Sequence, residues 1–155
     1  MGDRDYDPSE IDPGVLPLVD LLNDVPSFRT YISCEGHDGE RVFSRTPYVC
    51  FWLKMEQTEK GQFFFKGEAL HQLGKLAWVL SRTYEDGFHL MPPDWEHRYL
   101  PPVATVRICG QDPFNSADEV PDSWAPVAFC LDVRAKEFLP LIVNTLKKEW
   151  SLDRH

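Results

Sequence analysis

The sequence predicts an α+β domain: one mixed, mainly antiparallel sheet of about five strands covered by about three helices. Three observations carry that expectation. The chain of 155 residues has the length of one domain with one core. Hydrophobic residues make up 43% and aromatics 13%, which is too apolar for a disordered chain. Apolar stripes of helical period and short β-rich runs follow one another with no repeat, low-complexity tract or linker to divide them.

Residues 1–13 are acidic, carry little that is apolar and are expected to form a flexible N-terminus, with the domain spanning 14–155. The first helix should open near Pro17, a suitable first-turn residue, because Leu18, Leu21, Leu22 and Val25 form an amphipathic stripe before Pro26 stops it. Residues 29–34 are β-rich and end in a Glu-Gly-His-Asp-Gly loop. Residues 47–54 have apolar side chains on both alternating faces, the pattern of a central strand covered on both sides. Phe63, Phe64 and Phe65 close a further short strand. A helix follows from Glu68, with Leu70, Leu73, Ala77 and Leu80 on one side. Residues 84–90 look extended, and 103–109 and 127–133 are two more strands. The last helix runs over about 134–150, on a stripe of Phe138, Leu141, Ile142, Thr145 and Leu146, and Pro140 requires it to kink there or to begin just before.

Charge narrows the function. Sixteen Lys and Arg face twenty-five acids, a net charge of −9, so broad nucleic-acid binding, which needs a basic footprint, is not expected. No apolar run reaches bilayer length, and the first ten residues are polar and acidic, unlike a secretory signal; a cytoplasmic protein without membrane association is the expectation. Of the four cysteines, Cys50, Cys109 and Cys130 sit in apolar strand-like runs, where free Cys behaves as a small hydrophobe, and all four including Cys34 are expected to be reduced.

One segment brings several reactive residue types together with an unusual backbone signal: Ser33, Cys34, Glu35, Gly36 and His37. Gly36 lets the chain turn sharply and present consecutive N–H groups as a small anion-binding nest, with Ser33, Cys34 and His37 around its rim. Cys34 and His37 also have the C-x2-H spacing of half a zinc site, although no second such cluster occurs in the chain. As a nucleophile, Cys34 would take His37 as base and Glu35 as orienter. The plain alternative is a strand end, a glycine turn and a histidine that caps it.

Asn23, Thr30, Ser33, Cys34 and Gly36 lie in a stretch of about fifteen residues that resembles the signature region of the TYW3-like family of wybutosine-tRNA methyltransferases. It is similar, too, to a group of bacterial and phage proteins with a Ser-Cys-x-Gly-His motif. The resemblance implies an α+β fold whose signature loop lines a pocket for S-adenosylmethionine and a tRNA purine. His37 stands where that family has Arg.

Two other places hold candidate binding residues. Arg107 shares a strand face with Thr105 and Cys109 and could meet an anionic ligand, or else be a surface ion-pair residue. The Pro-bracketed loop with Trp95, Arg98 and Tyr99 could dock a protein partner through its aromatics, or simply be pinned to the core by them. The preferred expectation is a small domain that binds an unknown ligand at residues 33–37 with Arg107, leaning away from catalysis. The alternatives are an acidic protein-binding or inhibitor module acting through the Trp95 loop, and a methyltransferase on a nucleic-acid base.

Overall fold

A computed structural model describes residues 9, 11–36, 46–88, 101–109 and 124–150 of the chain. The fold is α+β, as the sequence patterns require. Helix α1 (Leu16–Asn23) precedes strands β1 (Phe28–Cys34), β2 (Tyr48–Gln57) and β3 (Phe63–Phe65). Helix α2 (Gly67–Ser81) leads to a small hairpin of β4 (Thr83–Tyr84) and β5 (Gly87–Phe88), then to β6 (Ala104–Cys109) and β7 (Trp124–Val133). A 3-10 turn (Lys136–Phe138) opens helix α3 (Leu139–Thr145), which continues as one π-helical segment (Leu146–Trp150).

The main sheet runs β1-β2-β7-β6, with β3 pairing the far end of β2, and every pairing in it is antiparallel. β2 is therefore central, as its two apolar faces predict. Residues 84–90 are not one extended run: Thr83–Tyr84 and Gly87–Phe88 fold back on each other, with Gly87 at φ 126 in the turn region open to glycine. Pro140 lies in the first turn of α3, so that helix begins just before it.

All three helices pack on one face of the sheet. Val49, Phe51 and Leu53 of β2 and Phe129, Leu131 and Val133 of β7 share a single core cluster with Leu18 and Leu22 of α1, Leu76 and Leu80 of α2, and Ile142 and Leu146 of α3. Trp150 is buried in the same cluster and stacks on Phe28 at 5.7 Å. The buried side of α2 is Ala69, Gln72, Leu76, Val79 and Leu80. The expected stripe was out of phase by one residue: Leu70 is 49% exposed, and of that set only Leu80 is buried.

The opposite face has a second, smaller cluster of Cys50, Trp52, Ala128 and Cys130, packed by Tyr31, Ile32, Tyr48 and Trp124. A bulge decides which β1 residues join it. Thr30 pairs with Phe51 and Ile32 with Cys50, so Tyr31 is an extra residue between them. Because side chains alternate along a strand, one inserted residue exchanges the faces beyond it. Phe28 and Thr30 stay with the helices, while Ile32 and Cys34 are turned to the other face. Tyr31 itself stacks on Trp52 there, with ring centroids 4.4 Å apart and an interplanar angle of 10°.

Candidate functional site

The 33–37 segment begins where β1 ends. Ser33 pairs with Val49 and Cys34 with Tyr48, and these are adjacent positions on a strand, so Ser33 and Cys34 look to opposite faces of the sheet. They do not ring one rim. Gly36 has φ 85, the left-handed conformation that its residue type was expected to supply. The two consecutive N–H groups of the expected nest are spent inside the chain. The Glu35 N–H donates to Asp12 Oδ2 at 3.1 Å, and the Gly36 N–H donates to Cys34 Sγ at 3.4 Å. The carboxylate of Asp12 thus takes one of the two donors, and the Cys34 sulfur takes the other.

Glu35 is committed as well. Its Oε2 accepts from the Gly14 N–H at 3.1 Å and meets Lys136 Nζ at 3.4 Å. The Glu35 side chain is only 14% exposed, so this contact is sheltered at one end. The Asp12 carboxylate thus takes the Glu35 N–H, the Glu35 carboxylate takes the Gly14 N–H, and Lys136 adds the cation. Of the stretch 1–13, Ile11 packs on the core and Asp12 forms part of this knot. The Glu35 Oε2 atom is turned to Gly14 and Lys136. His37 lies outside the described residues, as do Trp95, Arg98 and Tyr99. Among the described residues no group of three or more His, Cys, Asp or Glu could hold a metal ion.

Cys34 and Arg107, by contrast, do share a face. Two cross-strand rows connect them. One runs Cys34, Tyr48, Asp132, Thr105; the next runs Ile32, Cys50, Cys130, Arg107. With neighbouring strands about 4.8 Å apart and the two rows two residues apart along the strand, Cys34 and Arg107 are separated by roughly 16 Å. Between them lie a phenol, two thiols and a carboxylate. Arg107 Nε donates to Asp132 Oδ2 at 2.6 Å, a charge-assisted bond that fixes the guanidinium, whose side chain remains 58% exposed. Cys130 Sγ sits 3.5 Å from Asp132 Oδ1 and 3.2 Å from Cys50 Sγ.

Electrostatics on this face favour neutral groups. Burial, then the neighbouring Cys34, Cys50, Cys130 and Asp12, pushes the Tyr48 phenol above its ordinary value. The hydrogen bond with Cys50, then burial, pushes the Cys130 thiol up strongly, and Asp132 adds to the effect while Arg107 opposes it. The face therefore offers a neutral phenol, protonated thiol and an exposed guanidinium anchored by a carboxylate.

Tyr48, Cys50, Cys130 and Asp132 were not among the residues that sequence singled out. Their signal is faint but present: Tyr48, Cys50, Trp52 and Lys54 occupy every second position of β2, and Cys130 and Asp132 do so on β7. These two alternations become a site only once β2 and β7 are known to be neighbours.

The fold and this face define a small α+β domain with an antiparallel sheet helical on one side and polar-aromatic on the other. No family model matches the chain, and no curated protein or solved structure is significantly similar to it. Among the described residues no helix is long and apolar enough to cross a membrane.

Proposed function

We propose that the protein is a small-ligand-binding domain whose seat is the face of the sheet opposite the described helices, from Cys34 across to Arg107. The observation that carries this reading is the pair of cross-strand rows that align Cys34, Tyr48 and Asp132 beside Cys50, Cys130 and Arg107. The ligand class follows from Arg107. A guanidinium paired with Asp132, on a side chain that is 58% exposed, matches a carboxylate or phosphate group. The phenol of Tyr48, kept neutral by burial, lies on the same row as Cys34 and Asp132. S-adenosylmethionine, implied by the resemblance of the 23–36 stretch, carries a carboxylate and belongs in the set to be tried. Binding is favoured over catalysis because the Glu35 carboxylate and the Glu35 and Gly36 N–H groups serve the fold itself.

The test is an amide-resolved NMR titration with S-adenosylmethionine, nucleoside phosphates, dicarboxylates and zinc chloride as separate probes. One of the anionic probes should shift the resonances of Cys34, Tyr48, Cys130 and Asp132, and Arg107→Met should abolish the effect while the rest of the spectrum stays folded. Shifts confined to Trp95, Arg98 and Tyr99, or none with any probe, would reject this face and favour the protein-partner reading.

A further inference from the structure

Cys50 and Cys130 are placed for a reaction that ligand binding does not use. They are direct partners on the two central strands, 80 residues apart in sequence, with Sγ atoms 3.2 Å apart. The phase of the β2–β7 ladder can be read from its end, where the Val133 N–H donates to the Pro47 carbonyl at 2.9 Å. Residues 47 and 133 are therefore a hydrogen-bonded position. Counting inward, 48 and 132 are non-hydrogen-bonded, 49 and 131 hydrogen-bonded, and 50 and 130 non-hydrogen-bonded again. The other side of β7 agrees, since the Arg134 N–H donates to the Val103 carbonyl at 2.8 Å, which turns the backbone of Cys130 toward β6. Non-hydrogen-bonded antiparallel partners have Cα atoms about 4.5 Å apart and their side chains closest. That separation falls within the range of about 4.4–6.8 Å that a disulfide spans.

We propose that Cys50 and Cys130 form an oxidation site: a reduced cross-strand dithiol that a hydroperoxide converts into an intrachain disulfide without rearranging the sheet. One thiol gives up its proton and its sulfur attacks a peroxide oxygen; the O–O bond breaks, and the hydroxide released takes up that proton to become water. The sulfenic acid so formed is attacked by the second sulfur; the S–S bond forms, the S–O bond breaks, and a second water leaves. Two thiols and one hydrogen peroxide thus give one disulfide and two waters (an organic hydroperoxide would release its alcohol in place of the first water), the sulfurs losing two electrons that the peroxide gains. Both thiols are buried, Cys50 at 3% exposure and Cys130 at 0%, which admits only a small oxidant and makes the reaction slow. Once formed, the bond ties together the two strands that carry the core, so the oxidised chain loses conformational freedom in its unfolded state.

The experiment treats the full chain with hydrogen peroxide, removes the oxidant, unfolds the protein without reductant, alkylates the remaining thiols and maps the peptides. The mapped linkage should join the Cys50 and Cys130 peptides, the intact chain should be two hydrogens lighter, and dithiothreitol should restore the starting mass. Cys34→Ser should still form the link, and Cys50→Ala should not. The mapping needs no variant, so a Cys50→Ala protein that fails to fold leaves the test intact. The oxidised wild type should also melt higher than the reduced form by on the order of 5 °C or more, reversibly. Linkage of either residue to Cys34 or Cys109, oxygen added at Cys50 and Cys130 without linkage, or both thiols still alkylable after Cys34 is fully oxidised, would overturn the proposal.

Discussion

Asn23 and Thr30 hold each other by two hydrogen bonds: Asn23 Oδ1 accepts from the Thr30 N–H at 3.0 Å, and Asn23 Nδ2 donates to Thr30 Oγ1 at 2.7 Å. The same amide nitrogen donates back to the Val19 carbonyl at 3.1 Å, within α1. The last residue of α1 is thus clamped to the middle of β1 just before the bulge at Tyr31. Two residues of the stretch that resembles the methyltransferase signature have, in this chain, a structural task that needs both side chains.

The clamp should behave as one unit. Asn23→Ala and Thr30→Val should each destabilise the protein by about 1–3 kcal/mol, because each leaves a partly buried polar partner unsatisfied. The double variant should cost clearly less than the sum of the two, by about 1 kcal/mol or more, in urea unfolding. Strict additivity would show that the two residues act independently.

Gly14 and Gly36 should resist substitution for different reasons. A Cβ at Gly14 would land on Glu35 Oε2 and expel the carboxylate that Lys136 and the Gly14 N–H share. Alanine at Gly36 would have to hold φ 85 at a cost of about 1–2 kcal/mol. Both variants should lower the thermal midpoint, and Lys136→Met should add a further loss only in the Gly36→Ala background, since Gly14→Ala has already displaced its partner.

Arg107→Met should separate function from stability. The Arg107–Asp132 pair lies with its side chains 58% and 34% exposed, where ion pairs contribute about 0–1 kcal/mol. Unfolding should therefore change by less than about 1 kcal/mol, while ligand-induced NMR shifts vanish. A large loss of stability would mean that Arg107 is a structural residue.

Alkaline pH should weaken the fold. Tyr48 and Cys130 both have folded values raised above their ordinary ones, 10.0 and 9.0. The folded state then keeps protons that the unfolded chain gives up, so stability is complete below those ordinary values and falls as pH climbs through the raised ones. Melting curves should drop above about pH 9, and Tyr48→Phe should remove the part of the decline that begins near pH 10. A wild-type midpoint that is flat across that window would contradict the protonated character of this face.

Most of the fold can be read from particular residues. Pro17 with its leucine stripe marks α1, and Pro140 marks the start of α3. The doubled apolarity of β2 marks a central strand. α2 is misread by one residue because its exposed side carries Leu70 and Trp78, whereas its buried side includes the polar Gln72. Hydrophobicity alone therefore points to the wrong phase. The site is harder to see. No residue type announces that Tyr31 is an inserted bulge, yet that insertion places Cys34 on the same face as Cys50. The Arg107–Asp132 contact depends on strand order, which hydrophobic period does not encode. Gly36 was legible as a turn, but its own N–H goes to Cys34 Sγ and that of Glu35 goes to Asp12, a partner 23 residues away that local reading could not supply.

The pairing of β2 with β7 has a consequence in time. α1 and β1 leave the ribosome before β2, but β7 does not exist until the 80 residues from Cys50 to Cys130 have been added. At about 5–20 residues per second that interval lasts roughly 4–16 s. Throughout it, Val49, Phe51 and Leu53 present a strand edge with a neighbour on one side only, and Phe28 lacks the Trp150 ring that later stacks on it. The nascent chain thus carries an apolar template long before its own partner strand arrives. Its excess of acids, a net charge of −9 over the whole sequence, supplies repulsion between such half-made copies, and a burden for chaperones is written into the strand order itself.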